Sequence, residues 1–432
     1  MCNLPLSAIA EVNPIVQIPR GLSGKDAVSF IPMGDVSESG HWALRQVRPL
    51  RSVDAGLTAF EEGDVLVAKI TPCLENGKGA HAVGLENRIG FGSTEFHVLR
   101  ARPGNNSRFV FHLTMWRKFR RAAERQMVGS AGQQRVPRAF FEEFLVADFS
   151  VDQQTVIAEV FDTLDTAIHE TEAIIAKLEA VKQGMLHDLL TRGIDDNGEL
   201  RPPQAEAPHL YNPSSLGCIP RAWDVKTVAE VADVRSGSTP SREHADRYFA
   251  AGRIPWVKTL DLNEDAIRET EENITETALR ETSCILLPEG TVLVAMYGGW
   301  EQIGRTALLA VSATTNQAIS ALVLRSAGTV PEFILRALQH GRPRWQRVAA
   351  STRKDPNITK ADVLAFEIPL PAPDEQREIV RRVRASLDRL QFETDALAKL
   401  RRQKAGLMDD LLTGRVRVTP LLLGANRPEG GA

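Results

Sequence analysis

The stretch DQQTVIAEVFDTLDTAIHETEAIIAKLEAVKQGMLHDLLTRG, Asp152 to Gly193, decides how the chain is organised, because a second version runs from Glu375 to Gly414. Aligned with a single gap, the copies share Gln153/Gln376, Val160/Val383, Leu164-Asp165/Leu387-Asp388, Glu170-Thr171/Glu393-Thr394 and Ala176-Lys177-Leu178/Ala398-Lys399-Leu400. They also share Lys182/Lys404, Gly184/Gly406 and Asp188-Leu-Leu-Thr191/Asp410-Leu-Leu-Thr413. Chance helical composition does not give this much agreement.

The first copy places Ile157, Phe161, Leu164, Ile168, Thr171, Ile175, Leu178, Lys182, Met185 and Leu189 at alternating four- and three-residue steps. That spacing predicts a coiled-coil seam. The second offers Val380, Val383, Leu387, Leu390, Thr394, Leu397, Leu400, Lys404, Leu407 and Leu411. The gap falls between Thr394 and Leu400, where two three-residue steps in succession predict a stammer. A helix of ~40 residues is about 60 Å long. The first helix is therefore expected to carry the chain away from its first domain, and the second to return it.

Outward from the helices the repeat extends through most of the chain at an offset of about 222 residues. Leu6 to Val12 answers Val228 to Val234, and Phe30 to Asp35 loosely answers Gly252 to Lys258. Glu62 to Ala68 answers Glu289 to Ala295, and Val98-Leu-Arg100 answers Val323-Leu-Arg325. Each unit alternates short β-branched runs with turn residues and helical patches. The fold class expected is mixed α/β: two tandem α/β domains separated by two long antiparallel helices that form a coiled coil, with a pseudo-two-fold between the halves. The boundaries read as a first domain over 1–150, a spacer helix over 151–193 and a linker over 194–227. A second domain over 228–373, a second spacer helix over 374–414 and a weakly ordered tail over 415–432 follow.

The 432 residues, 43% hydrophobic and 25% charged, are ordinary for folded protein. Neither a signal peptide nor a membrane span is expected, which points to the cytoplasm. Cys2, Cys73, Cys218 and Cys284 form no CxxC pair, so free thiols are expected rather than a disulfide framework or zinc site. The net charge of −3 hides a division: residues 151–200 hold 3 Lys and Arg against 11 Asp and Glu, whereas residues 1–150 hold 18 against 15. An acidic first helix beside a slightly basic copy favours pairing them, each exposed pair contributing little.

Catalytic motifs are absent from the sequence: no GxxxxGK[ST] loop, no HExxH and no [DN]PP[YFW] run. Gly77 to Ala82 fits GxGxxA but sits in no βαβ pattern. Neither a cofactor nor a metal is expected to be bound by this chain. What remains suits DNA: Arg and Lys for phosphates and guanine edges, Asn and Gln for adenine, and hydroxyls on Gly-rich loops. In the second domain these are Arg235, Ser238, Thr239, Ser241, Trp256, Lys258, Tyr297, Trp300, Gln302, Thr315, Asn316 and Gln317. Arg342, Arg344, Arg347, Arg353 and Lys354 complete that set. In the first domain they are Lys69, Thr71, Lys78, Ser93, Thr94, Lys118, Arg120, Arg121, Gln133, Gln134 and Arg135.

Leu216-Gly-Cys-Ile-Pro-Arg-Ala-Trp223, Ser236-Gly-Ser-Thr-Pro-Ser241 and Ile254-Pro-Trp256 open the second half. Leu286 to Gly298, Thr315-Asn-Gln-Ala318, Ile368-Pro-Leu-Pro371 before Glu375-Gln376, and Ala398-Lys-Leu with Leu411-Leu-Thr-Gly414 complete it. With these motifs the chain resembles the specificity subunit of type I restriction-modification enzymes over nearly its whole length. The first half departs from the pattern: it lacks the LG-x-IP-xx-W lead-in, and it has Lys69-Ile-Thr-Pro where the second half has Met296-Tyr-Gly-Gly. The resemblance implies two target-recognition domains on paired helices, reading a bipartite double-stranded DNA sequence. It also implies two modification subunits that methylate adenine with S-adenosylmethionine, and restriction subunits that translocate and cleave DNA with ATP and Mg2+. From another class, a non-catalytic coiled-coil scaffold whose end domains bind proteins fits the same helices.

Overall fold

The computed structural model describes residues 2–42, 44–53, 56–130, 132–349 and 356–418. The chain divides into two compact units: Met1–Ile174 with Glu393–Ala432, and Ile175–Phe392. Each combines one mixed α/β domain with the root of its own long helix and the far end of the other.

In unit 1 a four-stranded antiparallel sheet has the order Ala10–Val12, Phe96–Ala101, Val65–Ala68, Gly79–His81. Unit 2 repeats that order with Ala232–Ser236, Ile319–Leu324, Val292–Ala295 and Thr306–Leu309, and adds Ala266–Ile267 at the edge. The unbroken apolar run Val65-Leu-Val-Ala68 is explained by burial on both faces. Val65 and Val67 pack with Leu99 and Phe109, whereas Leu66 and Ala68 pack with Phe60, Phe96 and Val98. Val292 and Val294 likewise enter one core and Leu293 and Ala295 another. Each buried Val or Leu among them contributes roughly 1.5–3 kcal/mol. A second sheet in each unit mixes parallel and antiparallel pairs, as between Ala27–Ile31 and Ile89–Gly92 in unit 1.

Backbone bonds fix the internal repeat more finely than sequence identity does. Leu6 N–H donates to Phe144 O and Val228 N–H to Phe366 O, so these segments match as the sequence aligned them. The strand that follows does not. Leu99 faces Val65 and Val12, and Leu322 faces Val292 and Val234, which makes Leu99 the counterpart of Leu322. The guanidinium that bonds back to the unit's entry is then Arg102, to Ser7 O, and Arg325, to Ala229 O. Pairing Val98-Leu-Arg100 with Val323-Leu-Arg325 was two residues out of register. An even slip leaves the in-out alternation of a strand intact, so the pattern could not reveal it.

The helices need the same correction. Gln154 Oε1 accepts from Asn106 N–H and Gln376 Oε1 from Val330 N–H, each satisfying an amide just before the helix Ser107–Met115 or Pro331–Gly341. Their amide nitrogens donate to Phe149 O and Pro371 O. Gln154, not Gln153, is the partner of Gln376. One shift then relates Ile157/Ile379 and Phe161/Val383 near one end and Leu189/Leu411 and Leu190/Leu412 near the other, all buried. No residue is missing between these ends, and Thr394, which begins the two three-residue steps, is exposed rather than part of the seam.

The long helices run over Val151–Thr191 and Pro373–Leu411. In unit 1, Ile157 and Phe161 share a core with Met408, Leu411 and Leu412. Lys404 pairs there with Asp165, and Arg401 with Glu172. In unit 2, Leu189 and Leu190 share a core with Ile379, Val380 and Val383. The start of each helix thus meets the end of the other, and the pair is antiparallel. Leu164, Ile168, Ile175, Leu178, Met185, Leu387, Leu390, Leu400 and Leu407 are half-buried and Leu397 is buried, as a seam requires, but Thr394 is exposed.

Residues 194–227, expected as a linker, are folded. Tyr211–Ser214 and Gly217–Pro220 form a hairpin, Ile194, Ile219 and Trp223 enter the unit 2 core, and Arg201 pairs with Glu375 at 2.5 Å. The four cysteines are free thiols, and no described helix is long and apolar enough to cross a membrane. Val418 is buried in unit 1, and the tail beyond it lies outside the described residues.

Unit 1 buries histidines as neutral bases. Burial, and then the nearby Arg108, pulls His81 down to about 4, and burial also lowers His97 and His112. The unfolded chain binds these protons near pH 6.5 and the folded one does not, so stability is full above that pH and falls as pH drops towards 4. For His81 the loss is on the order of 2 kcal/mol. Urea unfolding at pH 7 and pH 4.5 should show it, and His81→Gln should flatten the difference. Equal stability at both pH values would contradict the neutral assignment.

Candidate nucleic-acid interface

Both domains hold their candidate loops on the same backbone frame. Lys69 N–H donates to Glu95 O, and Lys69 O accepts from Val136 N–H. In the second domain Met296 N–H donates to Ala318 O, and Met296 O accepts from Ile358 N–H. Three segments are thereby gathered in each: the exit of the central strand, the turn before the next strand, and the stretch before a short helix, Arg138–Glu143 or Lys360–Ala365.

In the second domain, Ser238 N–H donates to Thr315 O, and Thr239 Oγ1 donates to Gln317 Oε1 at 2.5 Å. Gly237 must lack a side chain here, because a Cβ would lie 2.2 Å from Thr315 O and 2.3 Å from Asn316 O. Trp256 Nε1 donates to Ser238 O from below. Ser238, Thr239, Asn316, Gln317 and the Tyr297–Gln302 loop are therefore brought together, with Thr239, Gln317, Tyr297 and Trp300 exposed and Gln302 half-buried. Arg235 and Ser241 are exposed on the flanks. Lys258 pairs with Glu271 at 2.7 Å and Glu272 at 2.9 Å, which raises its pKa, and Arg242 pairs with Glu272 at 2.7 Å.

In the first domain, Thr71 N–H donates to Gln134 O, and Glu95 N–H to Ser93 Oγ. Lys69, Thr71, Ser93, Thr94, Gln133, Gln134 and Arg135 thus converge. Arg135 forms two bonds to Glu95, at 2.9 and 2.7 Å, and Thr71 Oγ1 donates to Glu75. Lys78 is held by Met33 O. Lys118 and Arg121 are exposed, Lys118 lying 3.4 Å from Asp409.

Five expected DNA contacts are corrected. Arg120 is 6% exposed and donates to Thr114 O, Leu74 O and Lys78 O, and burial lowers its pKa to about 9. Trp256 (2% exposed) and Thr315 (1%) are core residues whose neighbours, not they, reach the surface. Arg342 spends its guanidinium on Ile303 O, Glu264 and Glu301 O. Arg344 stacks on Phe366 and donates to Glu367 O. Of that basic run only Arg347 is exposed. Arg342 and Arg344, two residues apart in a helical turn, face different directions and end on separate acceptors, so the cluster in sequence is not one in space. Arg353 and Lys354 lie outside the described residues.

Residues 220–402 match the family described as Type I restriction modification DNA specificity domain. The second half of the chain thus carries a type I DNA specificity domain. The EcoAI specificity subunit of Escherichia coli is 41% identical over 141 residues, 32% of this chain and 23% of that one. The EcoEI specificity subunit of the same species is 34% identical over 163 residues, 37% and 27% of the two chains. The chain thus spans about a quarter of the length of these relatives. A solved chain from a study of complex assembly and conformational transition of the type I R-M system aligns with TM-score 0.58 at 18% identity. It covers 96% of this chain and 98% of that one, a likeness in fold. The type I specificity match omits residues before 220, yet the first domain shares the second's strand order and loop frame, so the fold unit is present twice. A protein-binding scaffold is not favoured by the DNA specificity domain match.

Sequence reasoning missed the acids. Glu95, Glu271 and Glu272 sit among the candidate bases and neutralise them, and only distance in space reveals it. It also missed His112, Asp162 and Asp165, whose ligand atoms lie within 4.8 Å of one another. Arg108 and Lys404 already pair with those carboxylates, and the group ties the helix Ser107–Met115 to both long helices in unit 1. The metal-like spacing is therefore accounted for by ion pairing.

Proposed function

We propose that the chain is the non-catalytic, cytoplasmic specificity subunit of a type I restriction-modification complex, each α/β domain reading one half of a bipartite duplex target. The observation that carries this is the duplicated loop frame around Lys69 and Met296, the second copy lying inside the family match. Equal frames place equivalent loops, while their differing side chains suit two different half-sites. The candidate contacts left exposed or half-buried are Lys69, Thr94 and Gln133 on the frame with Arg121 in one domain, and Thr239, Gln317 and Tyr297 with Arg235 in the other. Two modification subunits would bring S-adenosylmethionine and methylate adenine, and restriction subunits would bring ATP and Mg2+.

Expressing the gene with its modification partner in a host free of other adenine methylation tests this. Methylome sequencing should show methylated adenines in one bipartite motif, lost when this gene is deleted. A motif that persists without the gene would sink the reading.

A further inference from the structure

The loop leaving Val292–Ala295 carries two exposed aromatic side chains on an immobilised base. Its root is Met296, bonded through its backbone on both sides, with Ser320 Oγ 3.0 Å from its sulfur. Its far end is held as firmly. Ile303 is buried, Gly304 N–H donates to Ala295 O, and Arg342 clasps Ile303 O at 3.1 Å and Glu301 O at 2.6 Å. A Cβ on Gly304 would lie 2.3 Å from the buried Trp345 ring, so the base is packed without slack. Between these anchors the chain turns at Gly298 and Gly299, with φ of 109° and 76°, and Gly299 O accepts from Gln302 and Ile303 N–H. Tyr297 is 43% exposed and Trp300 51%. Leaving so much aromatic surface in water on a rigid turn forfeits burial that the fold does not recover.

The surroundings say what covers it. Met296 N–H bonds Ala318 O, so Tyr297 and Gln317 flank one hydrogen bond, and Gln317 joins Thr239 in the loop cluster described above. The tip thus borders amide and hydroxyl groups of the kind that read base edges. The first domain has Ile70, Thr71 and Pro72 here and no aromatic residue, with Thr71 turned onto Glu75.

We propose that Trp300, supported by Tyr297, stacks into a base step of the half-site read by the second domain, unstacking it and favouring a deformable step at that position. This rests on the DNA-reading function proposed above. Aromatic wedges on rigid loops act on duplexes in this way, and loss of one stacking side chain costs roughly tenfold or more in binding. The first domain, lacking the wedge, reads its half-site by polar contacts alone.

The test uses the full chain in its complex with modification subunits. The wild-type methylome defines both half-sites; if no bipartite motif appears, the functional reading itself fails. Given a motif, duplexes with 2-aminopurine at successive positions of the second domain's half-site should brighten at one step on binding. Trp300→Ala should abolish that signal and relax discrimination there about tenfold, leaving the other half-site unchanged. No brightening with wild type, or a Trp300→Ala complex equal to wild type in signal and motif, overturns the wedge while the function stands. A Trp300→Ala chain that binds modification subunits more weakly yet methylates an unchanged motif assigns the tip to protein contact and also overturns it. If Trp300→Ala methylates nothing, Trp300→Phe and Trp300→Leu decide: discrimination must survive in the first and fall in the second, and equal behaviour counts against stacking.

Discussion

Arg120→Ala is expected to destabilise unit 1 by about 3–5 kcal/mol, the range for emptying a large buried site and orphaning a backbone carbonyl. The guanidinium is enclosed, and its bonds at 2.5 Å to Thr114 O and 3.2 Å to Leu74 O and Lys78 O tie the end of the helix Ser107–Met115 to the turn before Gly79–His81. Leu74 O and Lys78 O keep second partners in Gly77 N–H and Ala68 N–H, so Thr114 O loses most. Arg120→Met refills the volume without the donors and should recover part of the loss, leaving about 1–3 kcal/mol for the bonds. Urea midpoints of the two variants measure both. A near-neutral Arg120→Ala that instead weakened binding to every DNA sequence would return Arg120 to the surface, where the basic run Arg117-Lys-Phe-Arg-Arg121 had suggested it.

That residue illustrates what was legible in the sequence. Repetition and periodicity reveal the architecture, because strands buried on both faces must read as Val-Leu-Val-Ala and an antiparallel seam must read at alternating four- and three-residue steps. They do not reveal register to the residue. Gln153 and Gln154 are adjacent glutamines, and only the bond to the amide of Asn106 tells which one matches Gln376. Nor does composition tell a DNA-facing arginine from a structural one. Arg342 ends on Glu301 O, Arg120 on Leu74 O and Lys78 O, and Arg135 on Glu95, and these acceptors come from segments distant in sequence. The Gly-Ser-Thr and Thr-Asn-Gln stretches were legible as a site because the chemistry sits in the turn itself. Their convergence on one frame was not.

Exchanging the second domain for that of another family member should replace one half-site wholly and leave the other untouched. The junctions matter. Asp224–Thr227 pairs with Glu367–Leu370, so a transplant beginning at Val228 would separate two strands of one sheet. Moving residues 224–371 keeps that pair together, and Pro373–Leu411 stays native. Gln376 Oε1 accepts from the backbone N–H of Val330, so a donor that conserves the position before its own helix retains that bond whatever its side chain. The expected change is qualitative: every specified base in one half-site is replaced, whereas single contacts alter roughly 1–3 kcal/mol at one position.

The measurement that bears most directly on one domain reading one half-site is therefore the methylome of a strain carrying the 224–371 exchange. It should show a hybrid motif, with the donor's half-site on one side and the original on the other. A motif altered in both halves, or in neither, would contradict the account.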